Sequence, residues 1–211
     1  MKRTRSMKRQ QDHQHLILYA YHEAGHALVG HLLGRCIERI ALAYGKGAYR
    51  GYCRFSSFLE DANQHPQWHD TSNNPDLITI YYAGMLAMAS VCAANEGVDD
   101  YLEGSEQSDL EMIHRLLLQM GVVEHERSHL TERCWRQAQQ LLGDHWDAVD
   151  ELATLLIERG TVTGGEAHAL LRHSLSESHF DWRLQAWNIQ EGDDVSKQGA
   201  NSPHGDHQRL P

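Results

Sequence analysis

The segment of residues 22–26 reads His-Glu-Ala-Gly-His and has the residue types and spacing of a metal-dependent hydrolase. Two residues four apart in an α-helix differ by about 40° around the axis and lie one turn apart. The imidazoles of His22 and His26 can therefore reach one metal ion. The carboxylate of Glu23 can reach a metal-bound water without being a ligand. The pattern predicts a metal site on a helix, with His22 and His26 as ligands and Glu23 as the catalytic base.

Zinc is the metal that this set of residues favours. Two neutral imidazoles and a carboxylate suit a catalytic zinc site, which keeps one coordination position for water. Zinc lowers the pKa of that water to about 7, so Glu23 can accept its proton as the water attacks a peptide carbonyl. The same carboxyl can then protonate the leaving amine. The residues predict a zinc metallopeptidase, although the spacing alone does not identify the third ligand.

The other histidines and the cysteines form no comparable pattern, although the chain has 16 histidines. His65 and His69 are four apart, but Pro66 argues against a shared helical turn, so a second metal site is not expected. The four cysteines contain no Cys-x-x-Cys pair and are Cys36, Cys53, Cys92 and Cys134. Neither a disulfide framework nor a cysteine-rich zinc site is predicted, and a reducing cytoplasm is the expected location. Cys36 and Cys53 are interpreted as small core residues rather than nucleophiles.

A helix over residues 12–33 is predicted to carry the motif. Its apolar residues recur at helical spacing, and Gly34 follows where a C-terminal cap is expected. Residues 37–42 and 51–55 are predicted as short strands joined by a glycine-containing turn, which indicates a small hairpin or sheet beside the helix. The polar residues 56–75 predict a long loop, of the kind that is either a functional lid or mobile.

The remaining elements are predicted to be helical. Residues 77–94 contain no charged residue and reach the length of a membrane span. Their polar residues and alanines make them only weakly hydrophobic, so a buried core helix is predicted instead. Further helices are predicted at residues 105–120, 131–142, 144–159 and 163–173, the last opened by a capping box of Thr163 and Glu166. The expected fold is mainly α, of the α+β class: a helical, zincin-like domain with a small sheet beside the metal helix.

Size and composition predict one domain between two polar segments. The 211 residues, 41% of them apolar, suffice for one hydrophobic core. Residues 1–11 are basic, lack a following apolar stretch and are predicted to be a flexible terminus rather than a signal sequence. Residues 12–176 form the predicted domain, and residues 177–211 are predicted to be disordered because they lack a core-forming face. The net charge of −10 without a sustained basic stripe argues against a nucleic-acid partner.

The sequence around the motif resembles the active-site helix of the FtsH-type, membrane-anchored AAA zinc proteases. Residues 19–30 carry this likeness and read Tyr-Ala-Tyr-His-Glu-Ala-Gly-His-Ala-Leu-Val-Gly. Similar segments follow in the same order: Gly51-Tyr52, Tyr82-Ala83-Gly84, Ser108-Asp109-Leu110-Glu111, then weakly 155–159 and Gly165-Glu166. The likeness covers residues 15–175 and implies the fold of that peptidase domain, with an unfolded polypeptide or peptide as the substrate.

The resemblance also implies a third zinc ligand. In that family the ligand is the aspartate of an Asn-Asp-(Leu/Ile)-Glu segment, and the matching residue here is Asp109. The alternative for Asp109 is an ordinary acid in the first turn of a helix, where it favours the helix dipole. Glu103 and Glu106 are then expected to line the approach to the site rather than to bind the metal.

The chain departs from the family in two respects. Its 211 residues contain no Gly-x-x-x-x-Gly-Lys-(Ser/Thr) loop, so we expect a stand-alone peptidase domain without ATP binding or a membrane span. Residues 83–89 differ from the family's Gly-Gly-Arg-Ala-Ala-Glu-Glu, which leaves subunit contacts, and with them a homo-oligomer, open. Two other functions also stay open: a catalytically silent zinc domain that binds a partner or unfolded chains, and hydrolysis of a small non-peptide amide.

Overall fold

The computed structural model describes residues 2–45, 48–56, 75–94 and 105–177. In that part of the chain the elements are α1 Lys2–Leu32, β1 Ile37–Gly45, β2 Ala48–Phe55, α2 Pro75–Ala94, α3 Ser105–Gln119, α4 Glu124–Asp144, α5 Trp146–Arg159, β3 Thr161–Thr163 and α6 Gly164–Glu177. The protein is mainly helical with one small antiparallel sheet, which confirms the predicted fold class.

Two helices begin much earlier than the sequence pattern predicted, while α2 begins only slightly earlier, at Pro75 rather than at residue 77. Helix α1 begins at Lys2 rather than at residue 12, because residues 2–11 contain neither proline nor glycine to end it. Helix α4 begins at Glu124 rather than at residue 131, and Glu124 and Glu126 in its first turn suit the positive end of the helix dipole. The backbone of residues 2–11 is helical, while the flexibility predicted for that segment stays a prediction. The predicted loop over residues 56–75 and the predicted disordered tail lie almost entirely outside the described residues.

The sheet has the order β2-β1-β3, with both pairs antiparallel. The hairpin of β1 and β2 was predicted, but β3 was not, because three residues are too short to show alternation. Val162 of β3 pairs with Ile40 of β1, and both side chains are completely buried. The sheet packs closely on α1, since a Cβ added at Gly30 would overlap the ring of Phe55. This packing places β2 beside the His-Glu-x-x-His segment.

Helix α1 is the centre of the fold, with α2 on one side and α5 on another. Its residues 22–30 are all buried. A Cβ added at Gly25 would lie 2.6 Å from the Ala83 carbonyl oxygen and 2.8 Å from the Ala87 Cβ. On the α5 side, the Tyr21 hydroxyl donates a hydrogen bond of 2.5 Å to Asp150. The small residue between the two histidines therefore lets the backbone of α2 approach α1 closely.

Helix α2 is long and apolar enough to cross a membrane over residues 75–92, the one such stretch among the described residues. Half of this stretch is buried inside the protein. Ile78 and Met85 of α2 pack with Ile113 of α3 and Cys134 of α4 in one core cluster. These contacts favour the interpretation of α2 as a core helix.

The start of α6 has the predicted capping box. Glu166 Oε2 accepts hydrogen bonds from the Thr163 amide at 2.9 Å and from its hydroxyl at 2.7 Å. The Glu166 amide donates in turn to the Thr163 hydroxyl oxygen at 3.4 Å. Just before, α5 ends at Arg159 and is capped by Gly160, whose positive φ of 68° permits the left-handed conformation. The short β3 lies between these two caps and pairs with β1.

A pair of histidines joins the end of α1 to α6 and β1. The Ile37 amide donates to His168 Nε2 at 3.0 Å, so the neutral His168 carries its proton on Nδ1. That nitrogen lies 3.0 Å from His31 Nδ1 and donates to it. Burial, together with electrostatic repulsion from His168 and Arg172, lowers the pKa of His31 to about 4.

This histidine pair predicts a loss of stability in mild acid. Because His31 has a lower pKa in the folded chain than the usual 6.5, the unfolded chain binds more protons as the pH falls from about 6.5 towards 4. We expect the metal-free wild type to lose on the order of 1 kcal/mol more stability between pH 7 and pH 5 than His31→Asn, allowing for the partial exposure of the ring. Urea unfolding of both chains at the two pH values measures the difference. Equal losses would contradict this role of His31.

Candidate metal centre

Helix α1 places His22, Glu23 and His26 on its buried side, between α2, α3 and the sheet. Only 3% of His22, 4% of Glu23 and 7% of His26 is exposed. Asp109 of α3 reaches the same place and is 7% exposed. Ionisable side chains are rarely buried to this extent unless they are paired or bind a metal. Four such side chains in one place indicate a functional site.

Three ligand atoms converge in this site. The distances are 2.9 Å between His22 Nε2 and His26 Nε2, 3.1 Å from His22 Nε2 to Asp109 Oδ2 and 3.3 Å from His26 Nε2 to Asp109 Oδ2. Among the described residues, these three form the one group of at least three histidine, cysteine or acidic side chains that could hold a metal ion. Ligands of a tetrahedral zinc ion, at about 2.0–2.1 Å from the metal, lie roughly 3.3 Å from one another.

The hydrogen bonds around the site fit a cation at this point. His26 Nδ1 lies 2.8 Å from the carbonyl oxygen of Ile80 and donates its proton to it. The neutral His26 therefore directs the lone pair of Nε2 towards His22 and Asp109. Asp109 Oδ2 is buried and accepts no hydrogen bond of good geometry. Lone pairs that face each other so closely repel unless a cation lies between them, so these residues fit a bound zinc ion.

In the metal-free protein the same atoms share protons. Burial opposes the charge on His26, but the Asp109 carboxylate and the charge of Glu23 outweigh it and raise its pKa to about 9. Burial and the charge of His26 lower the pKa of His22. Burial also disfavours the charge on Asp109, yet the two imidazoles lower its pKa to about 2. A metal that binds here has to displace the proton from His26.

Glu23 lies beside this group and close to β2. Burial and the negative charge of Asp109 raise its pKa to about 7, although the charge of His26 and a hydrogen bond from the Cys53 amide oppose the rise. In the metal-free protein this carboxyl group can therefore both accept and release a proton near neutral pH. A Cβ added at Gly51 would overlap the Glu23 carboxylate, so the absent side chain at this position gives the carboxylate its place.

Two glycines in contact with the site predict different losses. An alanine at Gly51 would displace Glu23, so Gly51→Ala should lower turnover at least 10-fold while zinc stays bound. An alanine at Gly84 would overlap the His26 ring, so Gly84→Ala should weaken zinc binding at least 10-fold. Zinc titration and hydrolysis rates, measured on both variants, separate the two effects.

Gly143→Ala is the matched control for these variants. Gly143 lies in α4, and an added Cβ would meet nothing within 4 Å. Alanine should therefore stabilise that helix by up to about 1 kcal/mol and leave zinc binding and turnover unchanged. If Gly51→Ala and Gly84→Ala also left zinc binding and turnover unchanged, the close contacts of these glycines with Glu23 and His26 would be contradicted.

The structure places Asp109 beside the two histidines, as the resemblance implied. Helix α3 begins at Ser105, so Asp109 lies more than one turn inside it. This position weakens the alternative of a first-turn acid, because the dipole effect falls off within the first turn. Glu103 and the side chain of Glu106 lie outside the described residues, so their predicted place at the approach stays a prediction.

Several contributions to the site were missed by sequence reasoning. The carbonyl of Ile80 and the amide of Cys53 are backbone groups, which no residue pattern marks. Tyr81 was also missed; its ring meets the His26 ring edge-on at 6.0 Å between centroids. Gly51 and Gly84 were noted only as parts of similar segments.

The thiol of Cys53 has a raised pKa because of burial and the nearby Glu23, as expected of a packed residue rather than a nucleophile. His65 and His69 lie outside the described residues.

Comparison with known proteins gives a distant similarity. No protein-family model matches the chain. The chain is similar to the ATP-dependent zinc metalloprotease FtsH 1 of Thermomicrobium roseum, with 25% identity over 188 residues and 73% of this chain covered. The chain spans about 28% of the length of that relative. The comparison thus gives a distant likeness to a zinc metalloprotease.

Proposed function

We propose that the chain is a zinc-dependent endopeptidase that hydrolyses unfolded proteins or peptides without ATP. The main support is the convergence of His22, His26 and Asp109 within 3.3 Å, with the carboxylate of Glu23 beside them. A structural zinc site has no need of a buried base next to its ligands. The distant likeness to a zinc metalloprotease supports the same reaction class.

In this proposal each residue has a defined task. His22, His26 and Asp109 would hold the zinc ion, which supplies a Lewis acid and a water of lowered pKa. Glu23 accepts a proton at its carboxylate and returns it to the nitrogen of the leaving amine. The Ile80 carbonyl fixes the orientation of His26, and the Cys53 amide fixes that of Glu23. The burial of all four ionisable side chains keeps competing water away from the reacting groups.

The free edge of β2 is the proposed place of the substrate backbone. Among the described strands, β2 pairs only with β1. The Cys53 amide faces away from β1, towards Glu23, and residues two apart in a strand face the same side. The amide and carbonyl of Gly51 therefore also face that edge. An extended peptide could add here as a further strand, with its backbone held beside the metal site.

Two features of the chain support its proposed location and its proposed independence of ATP. The four cysteines lie within the described residues and are not joined in disulfides, which supports a proposed reducing, cytoplasmic location. The chain has no ATP-binding loop motif in its 211 residues, which supports hydrolysis without ATP. The second candidate, a silent zinc domain that binds chains without cutting them, is favoured only by the limited span of the likeness, 28% of the relative.

A test of this proposal compares two forms of one substrate protein. The zinc-loaded chain should cleave a permanently unfolded variant of the substrate and leave the folded form intact, because the site can accept only an extended segment. Addition of ATP and magnesium should leave the rate unchanged. A rate that depends on ATP would contradict hydrolysis without ATP, and zinc-dependent cleavage of small amides alone would favour the non-peptide alternative.

A further inference from the structure

The outer face of the hairpin carries a cluster of positive charge in an acidic protein. Arg50, Tyr52 and Arg54 alternate along β2 and are exposed. Arg39 of β1 pairs directly with Arg54, and Arg50 pairs with Ala43. These side chains share the face opposite to Gly51 and Cys53, which point towards α1 and Glu23. The net charge of the whole chain is −10, so this cluster is a local exception.

The arrangement is unfavourable in the free protein. Like charges directly opposite each other on neighbouring strands destabilise a sheet, and Arg39 and Arg54 stand in this relation. Glu38 offsets this in part, through an exposed contact of 3.7 Å with Arg54. The Arg54 guanidinium also makes a cation–π contact with Tyr52, with its Cζ 5.8 Å from the centroid of the ring. No acid among these contacts reaches Arg50, so a ligand of negative charge would relieve the cluster.

The position of the cluster indicates a polypeptide ligand. It borders the free edge of β2, where the proposed function places the substrate. Alternate side chains of an added strand would lie on the outer face, with Cβ atoms about 4.5–5.5 Å from those of Arg50, Tyr52 and Arg54. A nucleic acid is disfavoured, because three arginines in a chain of net charge −10 give no extended positive field.

We propose that Arg50 and Arg54 select substrates with acidic side chains at alternate positions of the segment that pairs with β2. Carboxylates at these positions form charge-assisted hydrogen bonds with the guanidinium groups, while lysines are repelled. This inference rests on the proposed function, because it needs a peptide at the β2 edge. The inference specifies the class of peptide that the proposed peptidase would select.

Binding of labelled peptides to the zinc-loaded Glu23→Gln chain tests the selection without cleavage. The peptides, of roughly eight residues as in a typical strand, alternate threonine with glutamate, glutamine or lysine. A fourth peptide has the composition of the first, with its glutamates in one block. The alternating glutamate peptide should bind roughly 3- to 20-fold more tightly than the glutamine peptide, as expected for two exposed ion pairs. It should also exceed the blocked peptide, and the preference should fall at high salt.

Variants assign the preference to the two arginines. In Arg50→Gln/Arg54→Gln the affinity for the alternating glutamate peptide should fall to that for the glutamine peptide, whereas Arg50→Lys/Arg54→Lys should keep most of the preference. Arg133→Gln/Arg136→Gln removes the same charge from exposed positions of α4 and should leave the ranking of peptides unchanged. Thermal unfolding of each variant checks that the fold is retained.

The outcomes separate this inference from the proposed function. Equal affinity for the glutamate and lysine peptides, or a preference that survives in Arg50→Gln/Arg54→Gln, would overturn the selection. If the wild type then still cleaved the glutamine peptide, the proposed function would stand. Conversely, arginine-dependent binding of the glutamate peptide without cleavage by the wild type would support the selection and count against the peptidase. Tighter binding of a single-stranded oligonucleotide through the same arginines would overturn the assignment to a polypeptide.

Discussion

Glu23→Gln should bind zinc and fold as the wild type does while its hydrolysis rate falls about 10²- to 10⁴-fold, the range of a lost general base. The glutamine amide has nearly the shape of the carboxylate and can still occupy the space beside Gly51. It cannot, however, accept a proton from water. Hydrolysis rates at saturating zinc, together with zinc content and thermal unfolding, measure the three properties separately.

Glu111→Gln is the matched control for Glu23→Gln. Glu111 belongs to α3, two residues after Asp109, but its side chain is exposed. The same loss of charge at this position should leave both the rate and the zinc content unchanged. A wild-type rate in Glu23→Gln would remove Glu23 from the mechanism and favour the silent zinc domain.

Asp109→Asn is expected to lose zinc and activity together. An amide is a neutral and poorer ligand than a carboxylate, so zinc affinity should fall more than roughly 100-fold, beyond the loss typical of residues that only orient a ligand. If Asp109 were only an acid that favours the helix dipole, the change would cost about 0.3–1 kcal/mol of stability and leave the zinc content alone. Zinc titration against a competing chelator distinguishes the two results.

Glu103 and Glu106 are the neighbouring acids that could replace Asp109 as the third zinc ligand. Glu106→Gln and Glu103→Gln should keep a full equivalent of zinc under conditions in which Asp109→Asn loses it. Full zinc in Asp109→Asn, with a loss in either of the other variants, would assign the third ligand to a different carboxylate. The pair formed by His22 and His26 would then still stand.

The metal helix was predictable because its signal is local. His22, Glu23 and His26 lie within five consecutive residues, and helical geometry alone brings the two imidazoles together. The β1–β2 hairpin was also local, since two short strands flank one turn. The capping box at Thr163 and Glu166 depends on residues three apart. Each of these predictions needed no knowledge of how the elements pack.

The rest of the site depends on packing between distant elements. Asp109 is far from His26 in the sequence, and only the resemblance pointed to it; nothing in the residue pattern fixes where α3 lies relative to α1. The Ile80 carbonyl belongs to a helix whose even apolar composition does not indicate which side faces α1. The strand β3 is held by pairing with β1 rather than by its own three residues.

Cleavage of a permanently unfolded protein by the purified chain tests the central claim most directly. The assay follows the fragments with one equivalent of zinc, after removal of zinc by a chelator, and after zinc is added back, with Glu23→Gln as the blank. The wild type should produce fragments with zinc, none after zinc is removed, and fragments again after zinc is added back, whereas Glu23→Gln should produce none. If the substrate stayed intact while the wild-type chain held its full equivalent of zinc, the proposed zinc-dependent peptidase activity would be contradicted.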